Sequence, residues 1–229
     1  MRLILKFKPL RYLNKNNINN FEIQGLIYNL LKNTRYNYLH EIQGFKFFCF
    51  SNVFISNGIY HLIISSPINN LIKTLYYRLK TVDTIKLGKH EYKITKLSKI
   101  KNYIPNKYFK NSTPIVLFHN QTCSNHCFSF KKDNLDYNWF FKQLKENALK
   151  KYNAFYDDEY SFKEPLFESF QFKKEVAVHT RKKGCEIIFI GSLWDKLNVN
   201  LNKDNFHFYE FLFDTGLGEK NSAGFGMIQ

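Results

Sequence analysis

Long apolar segments are absent from this sequence of 229 residues. No window approaches the ~18 consecutive apolar residues that a membrane-spanning helix needs, so a transmembrane protein is excluded. The opening stretch, MRLILKFKPL, is interrupted by Lys6 and Lys8, and these charges break the apolar region that a secretory signal requires. We therefore expect a cytoplasmic protein with no membrane partner.

Cysteine is also scarce, with four residues in the chain. A reducing compartment disfavours disulfides, so metal binding is the alternative use to consider. Cys123, His126 and Cys127 form the one suggestive cluster. A structural zinc site needs four ligands, usually from two such knuckles, and the sequence holds no second one. The sequence therefore predicts no metal ion and no other cofactor.

Acidic residues are few. Asp and Glu total 19 against 34 Lys and Arg, and the formal net charge is +15. An A+T-rich coding bias accounts for part of the lysine excess but not for the scarcity of Asp and Glu. A charge of this size attracts polyanions, so nucleic acid is the leading partner class. The acidic run from Asp157 to Glu159 is the one carboxylate cluster that a metal-dependent nuclease could use, and it is more typical of a solvated loop.

Apolar periodicity in the first hundred residues predicts the order βαββαβ. Residues 2–8 alternate as a strand does, and residues 21–33 carry apolar side chains at helical spacing after an asparagine cap at Asn20 or its neighbour. The remaining predicted elements are strands 45–55 and 59–65 joined by Asn57-Gly58, a helix at 71–80 and an extended segment at 83–101. This order is that of a ferredoxin-like unit.

The second half repeats the order less clearly. Its predicted elements are strands at 114–118 and 127–131, a helix at 135–152, a hairpin of 170–180 and 185–193, a helix near 203–213 and a closing strand at 223–229. We therefore predict an α+β protein of two tandem ferredoxin-like (RRM-like) domains, residues 1–105 and 106–229. Sheets of this type are a common platform for RNA.

The most specific segment is residues 216–226, GLGEKNSAGFG, with four glycines in eleven residues. Glycine permits positive φ and lets a phosphate approach backbone N–H groups closely. The segment is not a dinucleotide fingerprint, because Asn221 stands where the third glycine is required, and it is not a P-loop. A tight turn between a helix and a strand is the alternative interpretation.

This segment resembles the carboxyl-terminal glycine-rich loop of the CRISPR-associated repeat-processing endoribonucleases, the Cas-six family of the RAMP superfamily. Residues 24–28, QGLIY, and 38–46, YLHEIQGFK, resemble the first helix of that family and the segment after it. The resemblance implies metal-independent cleavage of CRISPR precursor RNA within the repeat, by attack of a 2′-OH that leaves a 2′,3′-cyclic phosphate and a 5′-OH. It also implies CRISPR repeat RNA and a CRISPR effector complex as partners, and a monomer or homodimer.

The resemblance places three catalytic residues at Tyr28, His40 and Lys46. Imidazole changes charge near pH ~6.5, so His40 is the best candidate for proton transfer. On a helical wheel Tyr28 projects away from the apolar stripe of its helix, so its hydroxyl is expected to leave the core. Lys46, expected to open a strand, would place positive charge beside the phosphorane. Whether Tyr38 also takes part in catalysis is left open by the sequence.

RNA contacts are expected from two places. The residues are Gly216, Gly218, Lys220, Asn221, Ser222, Gly224 and Gly226 in the glycine-rich segment, and Arg181, Lys182 and Lys183 at the tip of the second-half hairpin. The hairpin tip is the weaker candidate, because charged turns are common.

Two rival functions share the basic charge. A RAMP-type subunit that binds RNA in an effector complex without cutting it would lack the Tyr/His/Lys trio, which is present here. A plain double RNA-recognition-motif protein would carry aromatic signatures on the central strands of both halves, and neither half shows both.

Overall fold

The computed structural model of the chain describes residues 1–11, 18–100, 107–119, 126–131, 137–182 and 185–229. Cys123, Lys183 and the predicted domain boundary at residue 105 lie outside the described residues, so that boundary stays a prediction. Within these ranges no helix is both long and apolar enough to span a membrane. The cytoplasmic location likewise stays a prediction.

Four α-helices and eleven strands make up the described chain. The elements of the first half are β1 (Arg2–Pro9), α1 (Asn20–Leu31), β2 (Cys49–Phe50), β3 (Phe54–Ser56), β4 (Ile59–Ser65), α2 (Asn69–Lys80), β5 (Thr84–Leu87) and β6 (His90–Ile100). Those of the second half are β7 (Tyr108–Phe109), β8 (Phe118–His119), β9 (His126–Cys127), α3 (Tyr137–Tyr156), β10 (Ser169–Lys182), β11 (Cys185–Asn198) and α4 (Phe206–Thr215). Two short 3₁₀ turns, Asn37–His40 and Asn221–Ala223, complete the set.

The first sheet is antiparallel and has the strand order β2-β4-β1-β6-β5, with β3 also paired to β4. β1 lies between β4 and β6, as in a ferredoxin-like unit. Alternation along β1 buries Leu3, Leu5 and Phe7 completely. The apolar faces of α1 and α2 belong to the same core cluster, which confirms the sequence prediction for this half.

Helix α1 begins one residue before its predicted start because of a capping box. The Asn19 side chain accepts from the Phe21 N–H, and the Glu22 carboxylate accepts from the Asn19 N–H. Each bond satisfies a backbone donor that would otherwise lack a partner at the helix start. Ile23 and Ile27 are fully buried beneath the helix, which leaves its opposite face toward solvent.

The predicted hairpin at Asn57-Gly58 is confirmed, with positive φ of 50° and 72° at its two central residues. The strand predicted at 45–55 was wrong as one element, because the chain breaks into β2 and β3 and Phe47 has φ of 50°. The extended segment predicted at 83–101 is likewise two strands, β5 and β6, with Gly88 in the turn at φ of 59°.

The second half has the same spatial order with a less regular edge. β11 pairs with both β10 and β7, and residues 110–112 exchange backbone hydrogen bonds with residues 227–229. The strand predicted at 223–229 was therefore wrong in its first part, where Gly224 and Gly226 have positive φ. Residues 227–229 take the place of the edge strand.

The boundaries of the other second-half elements also differ from the prediction. Helix α3 continues to Tyr156, beyond its predicted end, and α4 begins and ends later than 203–213. Arg181 and Lys182 lie in β10 and not in the turn that the sequence predicts for them.

The two halves meet through side chains that the sequence does not single out. The Arg2 guanidinium is buried, lies over the Phe213 ring, and donates to the Phe213 and Ile228 carbonyls at 2.8 and 2.7 Å. Phe225 belongs to a small buried cluster against which Phe21 of α1 packs. The end of the chain is thereby docked on the first half.

Candidate active site

The structure brings Tyr28, His40 and Lys46 together. The Lys46 ammonium donates to the Tyr28 hydroxyl, with 3.1 Å between Nζ and Oη, and lies 3.5 Å from the His40 carbonyl oxygen. The rings of Tyr28 and His40 meet edge to face, with their centroids 5.0 Å apart. The imidazole is exposed and the other two side chains are half-buried, so the cluster opens to solvent.

Local structure explains how the first two residues arrive. Tyr28 projects from α1 beside the buried stripe of Ile23 and Ile27, as the helical wheel predicts, and its ring also meets Phe48 at 6.2 Å. His40 ends the short 3₁₀ turn, which buried Leu39 anchors to the core. The polar group of each side chain is thus at the surface while its neighbours hold the backbone.

Lys46 lies in a loop and not at the start of a strand, because β2 begins at Cys49. The next residue, Phe47, has φ of 50°, which is unusual for a non-glycine residue and costs of order 1–3 kcal/mol. Two contacts offset this cost: the Phe47 ring packs on Phe155 of α3 at 4.9 Å, and its carbonyl accepts from the Ser66 hydroxyl at 2.6 Å. The bend they hold turns Lys46 toward α1.

The cluster has hydrogen-bond donors that a ligand could use. Because the Tyr28 oxygen accepts from Lys46, its own O–H proton points elsewhere. An ammonium has three N–H groups, and in the described residues those of Lys46 meet two acceptors. One phenol proton and one ammonium proton therefore have no acceptor within the described residues, and they lie beside an exposed imidazole. Tyr38, two residues before His40, is 49% exposed, and its part in the site stays open.

The glycine-rich segment is built into the core. Its four glycines are buried, and their positive φ values range from 67° at Gly218 to 86° at Gly224. Several of its backbone N–H groups donate within the protein: Leu217 donates to Gly226, Glu219 to Val116 and Gly226 to Pro114, each at 2.8 Å. Lys220 is exposed, and Asn221 and Ser222 are half-buried, so the segment reaches solvent at these three residues, its tip.

The tip is joined to the helix that carries Tyr28. The Gln24 side chain of α1 donates to the Ser222 carbonyl at 2.7 Å. Gln24 and Tyr28 are four residues apart, one turn along the same face of α1. The glycine-rich segment and the Tyr28 cluster, which come from opposite ends of the sequence, therefore both contact the same face of α1.

Sequence reasoning missed Lys151, whose ammonium is buried beneath the glycine-rich segment. It donates to the Gly216 carbonyl at 2.8 Å, the Gly218 carbonyl at 3.1 Å and Asn221 Oδ1 at 2.6 Å. Burial lowers the pKa of this lysine to about 7. A signal was available, because position 151 continues the apolar spacing of Leu144 and Ala148 along α3.

The basic hairpin tip is only partly described. Arg181 is exposed at the end of β10, while the Lys182 side chain and all of Lys183 lie outside the described residues. In the part of the chain that the structure describes, no three His, Cys, Asp or Glu side chains gather as metal ligands would. The absence of a metal requirement stays a prediction.

Comparison with known proteins decides the family. Residues 97–229 match the family model described as CRISPR associated protein Cas6, C-terminal. The CRISPR-associated endoribonuclease Cas6 2 of Methanocaldococcus jannaschii is 36% identical over 244 positions, covering 100% of this chain and 98% of that protein. The chain belongs to the Cas6 family. It is therefore an endoribonuclease, and the resemblance recognised in its sequence is confirmed.

Solved structures confirm the fold. One described as CRISPR associated protein Cas6 superposes with a TM-score of 0.76 at 24% identity, covering 100% of this chain and 98% of that one. Another, described as an RAMP protein binding different RNA substrates, has a TM-score of 0.75 at 17% identity and covers 100% and 98%. The α+β architecture of tandem ferredoxin-like units is thus that of Cas6 proteins.

Proposed function

We propose that this protein cuts CRISPR precursor RNA within the repeat, without a metal ion, by attack of a 2′-OH on the adjacent phosphorus. Membership of the Cas6 family supports CRISPR repeat RNA as the substrate. The observation that carries the mechanism is the contact between Lys46 and Tyr28 beside the exposed His40 imidazole.

In this reaction one bond to phosphorus forms and one bond to phosphorus breaks. The O2′–P bond forms as the P–O5′ bond breaks, the 2′-OH loses its proton, and the leaving 5′-oxygen gains one. His40 is the proton-transfer group, since histidine is the side chain that most often serves as a general acid or base and this imidazole is exposed. The products are a 2′,3′-cyclic phosphate and a 5′-OH.

Tyr28 and Lys46 act on the charge that develops at phosphorus. The phenol O–H of Tyr28 donates to a phosphate oxygen, and the Lys46 ammonium offsets the extra negative charge of the phosphorane. Their mutual hydrogen bond supports these roles, because it holds both donors in place before the RNA arrives. Preorganised donors of this kind stabilise a transition state more than a ground state.

RNA binding is assigned to the tip of the glycine-rich segment, Lys220 to Ser222, and to the basic hairpin around Arg181. Lys220 and Arg181 are exposed cations, and phosphate neutralisation supplies much of the affinity for RNA. The buried glycines contribute by shaping this tip. A CRISPR effector complex, and a monomeric or homodimeric state, remain predictions.

Incubation with repeat RNA from the same genome tests the mechanism. We expect one defined cut in the presence of EDTA, and no cut when a single 2′-deoxynucleotide replaces the scissile ribose. Mass analysis of the products should find the cyclic phosphate. Cleavage that needs added Mg²⁺ or Mn²⁺ would contradict the metal-independent mechanism. Cleavage that survives the 2′-deoxy substitution would show that the attacking group is not the 2′-OH.

Tyr28→Phe separates the two roles that a phenol could have. A hydrogen-bond donor that only positions the phosphate should cost less on removal than His40→Ala does. A loss of rate as large as that of His40→Ala would identify the phenol as the second proton-transfer group. RNA affinity measured in parallel keeps binding and chemistry apart.

A further inference from the structure

Lys151 is a buried cation whose hydrogen-bond partners are all uncharged. It is 2% exposed, and its three N–H groups meet the carbonyls of Gly216 and Gly218 and the side-chain oxygen of Asn221. Placing an ammonium in a core is costly, and an apolar side chain of similar length would avoid that cost. All three N–H groups of the Lys151 ammonium therefore donate to one short stretch of chain, the glycine-rich segment.

The bonds of Lys151 connect both limbs of that segment. Gly216 and Gly218 lie on the limb that leaves α4. Asn221, which accepts from Lys151, donates through its own amide to the Leu217 and Phe225 carbonyls, at 3.0 Å each. One ammonium and one amide therefore close the segment into a single loop with its tip outward.

Helix α3 also supports the segment that bears Lys46. Phe155 lies one turn beyond Lys151 on α3 and packs on the Phe47 ring at 4.9 Å. On the opposite side the loop tip is held to α1 through Gln24. Helix α3 thus supports the glycine-rich segment through Lys151 and the residue after Lys46 through Phe155.

We propose that Lys151 is a positioning residue that holds the glycine-rich loop closed, so that the tip of the loop, with the exposed Lys220, faces the RNA. The proposal rests on the proposed function, since it assigns the loop tip to RNA. Tyr28, His40 and Lys46 contact one another within the first half. Loss of Lys151 should therefore weaken RNA binding and leave the rate at saturating RNA nearly unchanged.

The test compares Lys151→Met with Lys150→Met, which removes the same charge from an exposed neighbour on the same helix. Hydrogen exchange of the amides of Leu217, Glu219 and Gly226 reports the loop directly, because their partners are known. Affinity for a 2′-deoxy repeat RNA measures RNA binding by the loop. Single-turnover cleavage at saturating RNA measures the rate of the chemical step. In Lys151→Met we expect faster exchange at these amides and roughly tenfold weaker binding, equal to about 1.4 kcal/mol. The saturated rate should stay within about threefold of the parent, because the hydrogen bonds that this variant removes join Lys151 to the loop and not to Tyr28, His40 or Lys46.

Unchanged loop exchange in Lys151→Met would overturn the proposal, as would an equal loss of affinity in Lys150→Met, which would indicate a general charge effect. If Lys151→Met does not fold, Asn221→Ala takes its place, and unaltered exchange at Leu217 and Gly226 in that variant would be equally contrary. If the parent itself neither binds nor cuts repeat RNA, the proposed function fails, while the exchange data still decide whether Lys151 closes the loop.

Discussion

The candidate catalytic cluster and the glycine-rich loop are built in opposite ways. Tyr28, His40 and Lys46 lie at an open surface and are joined by one side-chain hydrogen bond and ring contacts. The loop at residues 216–226 is mostly buried, and side chains from α1 and α3 bind its backbone. The polar groups of the first region are available to a ligand. Many polar groups of the second region form hydrogen bonds within the protein that hold the shape of the loop.

The difference changes what the glycines mean. In the sequence, four glycines near a lysine are typical of a backbone that cradles phosphate. In the structure a Cβ on Gly224 would overlap the Phe50 ring, and a Cβ on Gly226 would overlap the Leu217 carbonyl oxygen. These glycines permit close packing and positive φ, which leaves the few side chains at the tip as the candidates for contact with a ligand.

The largest expected effect is on chemistry in the open cluster. His40→Ala should slow single-turnover cleavage by on the order of 10²–10⁴-fold, the usual span for a lost general acid or base. RNA affinity should be nearly intact, because one imidazole contributes little to binding a polyanion. His207→Ala, which removes a histidine 78% exposed on α4, is the matched control and should cleave normally. A parental rate in His40→Ala would contradict this assignment and make Tyr28 or Tyr38 the leading candidate for proton transfer.

The buried loop should respond through stability and not through chemistry. Gly226→Ala places a side chain at φ of 70° against the Leu217 carbonyl, and should lower the free energy of unfolding by roughly 3 kcal/mol. Gly25→Ala is the matched control, because open space surrounds an exposed helical position there. That control should gain about 0.5–1 kcal/mol. Equal urea midpoints for the two variants would contradict the packing role of the loop glycines.

A pH effect on stability should come from Lys151. Burial lowers its pKa from 10.5 to about 7 in the folded protein, so between these values the unfolded chain binds more protons. The free energy of unfolding should therefore rise with pH above about 7. One proton contributes at most about 1.4 kcal/mol per pH unit, or up to about 2 kcal/mol by pH ~8.5. Urea unfolding should show this rise in the parent and in Lys150→Met but not in Lys151→Met, and an equal slope in all three would refute it.

The smallest effect is expected at the exposed cations. Neutralising Lys220 and Arg181 together, as Lys220→Gln and Arg181→Gln, should weaken binding of a 2′-deoxy repeat RNA. The slope of log affinity against log salt should fall by about 0.7 for each single-strand phosphate that the variant no longer neutralises. Lys80→Gln, at an exposed site on α2, is the control. A slope unchanged in the double variant would place the RNA path elsewhere on the surface.

Much of the fold was predictable where a pattern is local. The alternation of Leu3, Leu5 and Phe7 and the turn at Asn57-Gly58 depend on side chains close in sequence, and both predictions are confirmed. Element boundaries were less predictable. The positive φ of Phe47 interrupts a run of aromatic residues that looks like a strand, because contacts from α3 and Ser66, distant in sequence, outweigh local propensity.

The candidate site was predictable in part, for a related reason. Helical periodicity alone predicts that the Tyr28 hydroxyl leaves the core, and in the structure the half-buried side chain packs against the edge of that core. His40 and Lys46 came from the family resemblance, and the structure shows them beside Tyr28, while their catalytic roles stay proposals. Lys151 went unrecognised because one lysine among many looks like a solvated charge.

The sequence by itself determined the basic charge, the order of helices and strands in the first half, and the two motifs that identify the family, since each depends on residue type and near neighbours. The tertiary structure alone decided that the glycine-rich loop docks against α1 and that Lys151 is buried beneath it. Those arrangements depend on contacts between residues about 70 to 200 positions apart. No local pattern specifies which buried carbonyls a distant ammonium will meet, because that choice follows from packing the two halves together.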